Sequence, residues 1–462
     1  MKKILAAILV FICVFSLAGC VDDQNAGEEK RDTGYMSYHI AVAEYPVMAP
    51  YPNEMAFVDE KTGIFDDEAF SFVYDAWHDD ILAQRQQEGY ERGLERFFSE
   101  STKTFLSDSN SENKVYSPLN VYMALAMLAE VTDNNSRQQI LDLLGSADIE
   151  SLRTQATTLW NAHYRDDGAV TSILAGSLWL NKDISFIPST MESLAKYYYA
   201  SSFSGEMGSE AFNTALQDWL NDQTGGLLKE QASGITMSPE TIMALATTIY
   251  YKSKWHNVFS ESKTEKGLFN LADAGGTAVE CDFMRKSDTN TYYWGEKFSA
   301  VAQGLEAGGA MWFILPDDNT AADALLGDEE TVSFILQNHD WANNKTLVVN
   351  LAVPKFDVGS DINLSEGLKT LGITDVFSPK DSDFSPMTTD TDDIYLSAAQ
   401  HAARVKIDEE GCTAAAYTVM MAAGTAMPPD DEVDFVLDRP FIFAITGADG
   451  LPMFVGIVNN PA

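Results

Sequence analysis

A chain of 462 residues with 45% hydrophobic and 11% aromatic side chains can bury a large core, which excludes global disorder. Its 69 acidic against 30 basic residues give a net charge of −39, which repels nucleic acid and anionic lipid and excludes a nucleic-acid partner. The six histidines are scattered and neither Cys-x-x-Cys nor His-Glu-x-x-His occurs, so no metal and no cofactor is expected.

The chain opens with two lysines, an apolar run from Ile4 to Leu17 and then Leu17-Ala18-Gly19-Cys20. The run is short for a span and ends in small residues, so residues 1–19 are expected to be a removable export signal. Leu-Ala-Gly-Cys resembles the bacterial lipobox, which implies a lipid on Cys20, a tether over 20–34 and a place on the outer face of a bacterial membrane. Two or more acyl chains hold a protein stably at a surface where one does not. Cys13 then leaves with the signal, and the exported chain keeps Cys281 and Cys412, too few for a disulfide framework.

Residues 35–88 form an acidic, aromatic lead segment, either packed on the main domain or acting as a spacer. From Gly89 the pattern turns helical, with Leu94, Phe97, Phe98, Phe105 and Leu106 near one face. Ser117 offers an N-cap oxygen and Pro118 suits the first helical position, so a buried helix is expected from there. A Ser…Gln capping box from Ser136 predicts a short helix that Gly145 closes. Past the middle, the stretches 245–255, 310–316, 346–356, 433–446 and 451–461 are β-branched and aromatic and read as strands. Helices first and strands later suit an α+β fold around a large antiparallel or mixed sheet.

Eight stretches now fall into one order: Tyr-Ser-Pro-Leu-Asn (116–120), Asn-Asp-Gln-Thr-Gly-Gly (221–226), Ile-Tyr-Tyr-Lys-Ser-Lys-Trp (249–255), Val-Pro-Lys-Phe (353–356), Leu-Gly-Ile-Thr-Asp-Val-Phe (371–377), His401 ten residues before Gly411, Asp-Arg-Pro-Phe (438–441) and Phe-Val-Gly-Ile-Val-Asn-Asn-Pro (454–461). In order and spacing the span 89–462 resembles the serpins. The resemblance implies the serpin fold, with helices around a large central sheet and an exposed reactive loop over about 409–429. It implies a monomeric protease inhibitor and no catalysis of its own. A protease cuts the loop, which then inserts into the main sheet as a new strand while the protease stays covalently bound. The hinge residues so implied are Glu410, Gly411, Cys412, Thr413, Ala414, Ala415 and Ala416; Ser117, Asn120, Thr247, Trp255 and His401 are the control residues beneath the sheet opening.

The loop's composition suits that task. Alternation puts Cys412, Ala414, Ala416 and Thr418 on one side and Thr413, Ala415 and Tyr417 on the other, so the first set is small enough to slip between packed strands. Two departures from the family pattern stand out. Cys412 replaces the usual Thr or Ser, and Asn120 and Thr247 replace the more usual Ser and Asn, with His401 expected as their third partner. Family spacing puts the cut bond between Thr425 and Ala426. No Lys or Arg occurs from Gly411 to Asp438, so a trypsin-like pocket would keep its carboxylate unpaired. Small residues at the cut fit elastase-like or subtilisin-like serine proteases, with papain-like cysteine proteases as a further class. Three alternatives compete: a serpin that no longer inhibits, against which the unhindered hinge 411–418 speaks; a solute-binding lipoprotein, which would lack the second-half motifs; and a hydrolase, for which no Gly-x-Ser-x-Gly exists.

Overall fold

The computed structural model describes residues 34–59, 61–84, 89–226, 229–271, 276–337, 341–391, 394–397, 399–412 and 431–462. Residues 1–33 with Cys20, and most of the loop, with Thr413, Ala414, Ala415, Ala416, Thr425 and Ala426, lie outside them.

Seven longer helices are α1 (Asp67–Gln84), α2 (Leu94–Leu106), α3 (Pro118–Glu130), α4 (Asn134–Leu144), α5 (Ile149–His163), α6 (Pro188–Tyr197) and α7 (Glu210–Gln223). Shorter ones are α8 (Lys229–Ser233), α9 (Ala322–Leu326), α10 (Glu329–Gln337) and α11 (Ser365–Thr370). The strands are β1 (His39–Ala41), β2 (Lys114–Tyr116), β3 (Arg165–Asp166), β4 (Thr171–Asn181), β5 (Ala200–Gly205), β6 (Met243–Lys254), β7 (Glu265–Asn270), β8 (Ala278–Trp294), β9 (Phe298–Gly304), β10 (Ala310–Pro316), β11 (Asn344–Pro354), β12 (Phe356–Asn363), β13 (Gln400–Ile407), β14 (Gly411–Cys412), β15 (Glu432–Val436), β16 (Phe441–Thr446) and β17 (Pro452–Val458). They make two sheets. The main sheet runs β1-β5-β4-β6-β14-β13-β12, with β3 on β4. The second runs β15-β11-β8-β9-β10-β16-β17-β2, with β7 on β8.

Helix α3 is the pivot of the core. Ser117 caps it by accepting the Asn120 N–H at 3.2 Å, and Pro118 takes the first helical position, where no N–H is missed. Apart from Ala124, every residue from Pro118 to Glu130 is buried, because the helix is apolar all round and packs on both sheets and on neighbouring helices. Gly176 in β4 makes room for it, since a Cβ there would lie 2.8 Å from the sulfur of Met127.

Several expected boundaries shift. Helix α4 starts at Asn134, not at a Ser136 cap; the Ser136 hydroxyl instead accepts the Asp383 N–H at 3.0 Å from a distant loop. Gly145 closes it with φ 70°, as its lack of a Cβ allows. The stretch 346–356 is two strands in different sheets, parted at Lys355, and 433–446 divides into β15 and β16, both in the second sheet. The lead segment is packed on the domain: β1 adds to β5 at the edge of the main sheet, and Tyr35, Phe70, Trp77 and Ile81 are buried.

Candidate functional site

Strand β6 pairs with β4 on one side over most of its length, from Met243 to Lys252. On its other side, among the described residues, only Ser253 and Lys254 have strand partners, in β14. Strand β13 pairs with β12 from Gln400 to Ile407 but meets β14 only at Ile407. At this end β6 and β13 therefore stand one strand apart, about 9.6 Å at the usual ladder spacing. Gly411 and Cys412, the two residues of β14, sit between them.

The turn into this strand is built to hold it. Asp408 Oδ1 accepts the N–H groups of Glu410 (3.0 Å) and Gly411 (3.3 Å), an Asx-type turn. Each backbone carbonyl from Asp408 to Gly411 has a donor: Trp255 Nε1 to Asp408 at 2.8 Å, Phe259 N–H to Glu409 at 2.9 Å, Trp255 N–H to Glu410 at 2.9 Å and Asp408 N–H to Gly411 at 3.1 Å. Trp255 is 1% exposed and edge-on to Phe259, so the hinge rests on a rigid aromatic floor. The Glu409 carboxylate pairs with Lys355 at 2.7 Å and accepts from the Thr264 hydroxyl at 2.7 Å. Burial opposes its ionisation, yet these two hydrogen bonds hold it below the usual carboxylate range.

Gly411 is required by close approach. A Cβ on it would lie 2.3 Å from the Ser253 carbonyl oxygen and 2.7 Å from Lys254 Cα, both backbone atoms of β6. Cys412 is 2% exposed, and burial pushes its thiol up to about 12; Cys281 is also unbridged and buried, its thiol pushed up to about 11. An iodoacetamide solution at neutral pH should accordingly leave both thiols of the intact protein unmodified. Mass spectrometry finding Cys412 alkylated as fast as an exposed thiol would place the hinge outside the sheet.

Farther along the opening, His401 is 4% exposed and Nε2 accepts the Ser117 N–H at 3.0 Å, which requires the neutral imidazole. Burial lowers its pKa to about 4. The ring stands edge-on to Tyr116 at 5.4 Å. Asn120 Nδ2 reaches the Thr247 carbonyl at 3.5 Å, a long bond from α3 to β6. The structure thus brings Ser117, Asn120, Thr247 and His401 together but with different partners from those expected: His401 bonds the Ser117 backbone, and Thr247 acts through its carbonyl. Strand β13 is tied through His401, and β12 through Ser360, whose hydroxyl lies 2.7 Å from the Val115 carbonyl and 2.9 Å from its N–H. Among the described residues, β6 is tied to α3 at this level by the long Asn120 bond.

Sequence reasoning missed Asp408, Lys355, Thr264 and Ser253. Asp408, three residues before Gly411, carries a turn signal; Ser253 and Lys355 lie within the quoted stretches 249–255 and 353–356 without a role being read there, and Thr264 is marked by nothing local. Among the described residues no helix is long and apolar enough to cross a membrane, and no group of His, Cys, Asp or Glu could hold a metal ion.

A family model described as "Serpin (serine protease inhibitor)" matches residues 93–461. Serpin-ZX of Arabidopsis thaliana is 28% identical over 369 residues, covering 76% of this chain and 93% of that protein. The leukocyte elastase inhibitor of Homo sapiens is 27% identical, covering 77% and 95%. Among solved structures, the thermophilic serpin tengpin in its native state superposes with a TM-score of 0.71 at 25% identity, covering 81% of this chain and 95% of that one.

Proposed function

The chain belongs to the serpin family, and from that premise we propose that it is a suicide-substrate inhibitor of elastase-like or subtilisin-like serine proteases. The observation that carries the reading is the one-strand spacing between β6 and β13 at their Lys254 and Ile407 ends, entered, among the described residues, by Gly411 and Cys412. Unpaired strand edges are a template for added backbone, and loop insertion in serpins is a known instance of strand addition. The protease serine attacks the Thr425 carbonyl, the Ala426 amine leaves, and the remaining ester joins the protease to a loop free to follow Cys412 into the sheet. Fourteen residues in extended form reach roughly 46 Å, enough to carry the protease across the domain. The loop runs from Cys412 in the main sheet to Glu432 in the second, so cleavage releases a chain that was held at both ends.

The absence of Lys and Arg from 411 to 438 and the small residues around 425 support the target class. A relative named for leukocyte elastase points the same way. The export signal and Cys20 support a protein held by lipid at the outer face of a bacterial membrane, with the inhibitory domain turned outward.

Mixing the protein with elastase, subtilisin and trypsin should yield a denaturant-resistant covalent band with the first two only. Thr425→Arg should move the band to trypsin. Ready trapping of trypsin by the unaltered protein, or a cut outside 423–427, would overturn the register and the target class together.

A further inference from the structure

Cations are scarce in this chain, 30 against 69 acids, yet a groove on the second sheet gathers several of them. The groove, of about 420 Å³, lies where β8, β11 and β15 run side by side, at the register that sets Ser287 opposite Asn350 and Asp434, and Arg285 opposite Ala352 and Val436. Lys263 joins the lining from the turn before β7. Arg285 is incompletely bonded there: its Nε is buried without a hydrogen-bond partner, because the Glu265 carboxylate stops 3.7 Å away, beyond hydrogen-bonding reach. A guanidinium N–H buried without an acceptor carries a desolvation cost that native folds seldom leave uncompensated. The Lys263 ammonium has no partner among the described residues. Lys286, by contrast, is already engaged, since its ammonium donates to the Asn257 carbonyl at 2.8 Å and lies 4.5 Å over the Phe259 ring.

The lining also holds acceptors. Asp434 Oδ1 takes one N–H from Asn350 at 2.9 Å, which leaves most of the roughly four acceptor sites of a carboxylate open, and the Ser287 side chain is exposed beside it. Ala352 and Val436 add apolar surface. Cations with unused donors next to a carboxylate with unused acceptors suit a ligand that carries an oxyanion at one end and hydroxyl groups at the other. The volume lies in the ordinary range for small-molecule sites, roughly 300–1,000 Å³. A bare dianion would meet Asp434 with nothing to donate to it, and an uncharged sugar would leave Arg285 and Lys263 without a counter-charge.

We propose that this groove binds a small hydroxylated ring bearing one phosphate or sulfate ester, with the oxyanion on Arg285 Nε and the Lys263 ammonium and the hydroxyls on Asp434 and Ser287. Charge-assisted bonds from guanidinium and ammonium groups to such oxyanions are the strong ones, which lets two local cations hold an anion that the protein's net charge repels. The lining comes from β8, β11 and β15, so the bound ligand bridges three strands. Strand β15 gains most, because it pairs with β11 alone among the described residues and is the strand by which the chain enters the second sheet after the loop. The site holds whether or not the protein inhibits a protease.

The test uses the full chain at constant ionic strength, with glucose 6-phosphate, glucose 6-sulfate, glucose and sodium chloride as probes. An ester that binds should raise the melting temperature of the uncleaved protein by a few degrees, saturating at roughly millimolar concentration, and should slow amide exchange over residues 432–436. Glucose and chloride should do neither. A response to the phosphate alone points to a phosphorylated source and one to the sulfate alone to a sulfated one, and each supports the site. Arg285→Gln should weaken ester binding about tenfold or more. Lys263→Ala removes an exposed, unpaired side chain, should weaken binding by about as much, and covers the case in which Arg285→Gln does not fold. No rise with either ester, a rise that glucose or chloride reproduces, or one that either variant retains in full would overturn the site.

Discussion

Gly411→Val should expel the hinge from the sheet and convert the protein from inhibitor to substrate. Even the first side-chain carbon would meet the Ser253 carbonyl at 2.3 Å and Lys254 Cα at 2.7 Å, and backbone atoms within a strand cannot step aside. Overpacking of a well-filled site costs about 1–3 kcal/mol, and here relief lies in withdrawing residues 411 and 412. The Cys412 thiol, now buried, would emerge and react with iodoacetamide within minutes. Cleavage near Thr425 should proceed while the yield of covalent complex falls at least tenfold, because insertion must start at the position that is blocked. A variant that keeps both a protected Cys412 and a full yield of complex would show that β14 is not the leading end of the inserted strand.

Acid should weaken the uncleaved protein through His401. An imidazole ordinarily titrates near 6.5, and burial brings this one to about 4. Between those values the unfolded chain binds a proton that the native chain refuses, so stability falls as pH drops through that window and is unaffected above it. The lost contribution is about 3 kcal/mol at the acid end, a large share of ordinary domain stability. Once protonated, Nε2 becomes a donor facing the Ser117 N–H, and the tie between β13 and the cap of α3 breaks. His401→Gln keeps an acceptor and removes the titration. Its urea midpoint should decline less between pH 7 and pH 4 than that of the unaltered protein, and parallel declines would assign the acid sensitivity to the carboxylates alone.

The helix ends were legible because their signals are local. Ser117 and Pro118 announce a helix start through their own hydrogen-bonding and ring geometry, and Gly145 a helix end through its φ. Ser136 carries the same cap signal and is misread, since its hydroxyl is taken by Asp383 from a distant loop. Strand β8, 17 residues long, was missed because its middle, 286-KSDTNT-291, is polar; its backbone is held there by β11, which pairs with it from Phe283 to Tyr293, and this makes a polar sequence extended. Lys355 looked like the tail of one strand, yet it is the break at which the chain leaves the second sheet for the main one, and that break aims its ammonium at Glu409.

By itself the sequence determined the charge, the family, the run of small residues after Gly411 and the lack of any cation around the bait, because each is a property of residue type and short-range order. It determined also that Gly411 precedes a segment able to alternate small side chains along one face. The tertiary structure alone decided what holds the hinge. Trp255, Phe259, Thr264 and Lys355 reach residues 408–410 from strands and turns far away in the chain. The physical reason is that a buried carbonyl or carboxylate must find a donor wherever packing supplies one, and packing, unlike a cap or a turn, is settled by the whole fold.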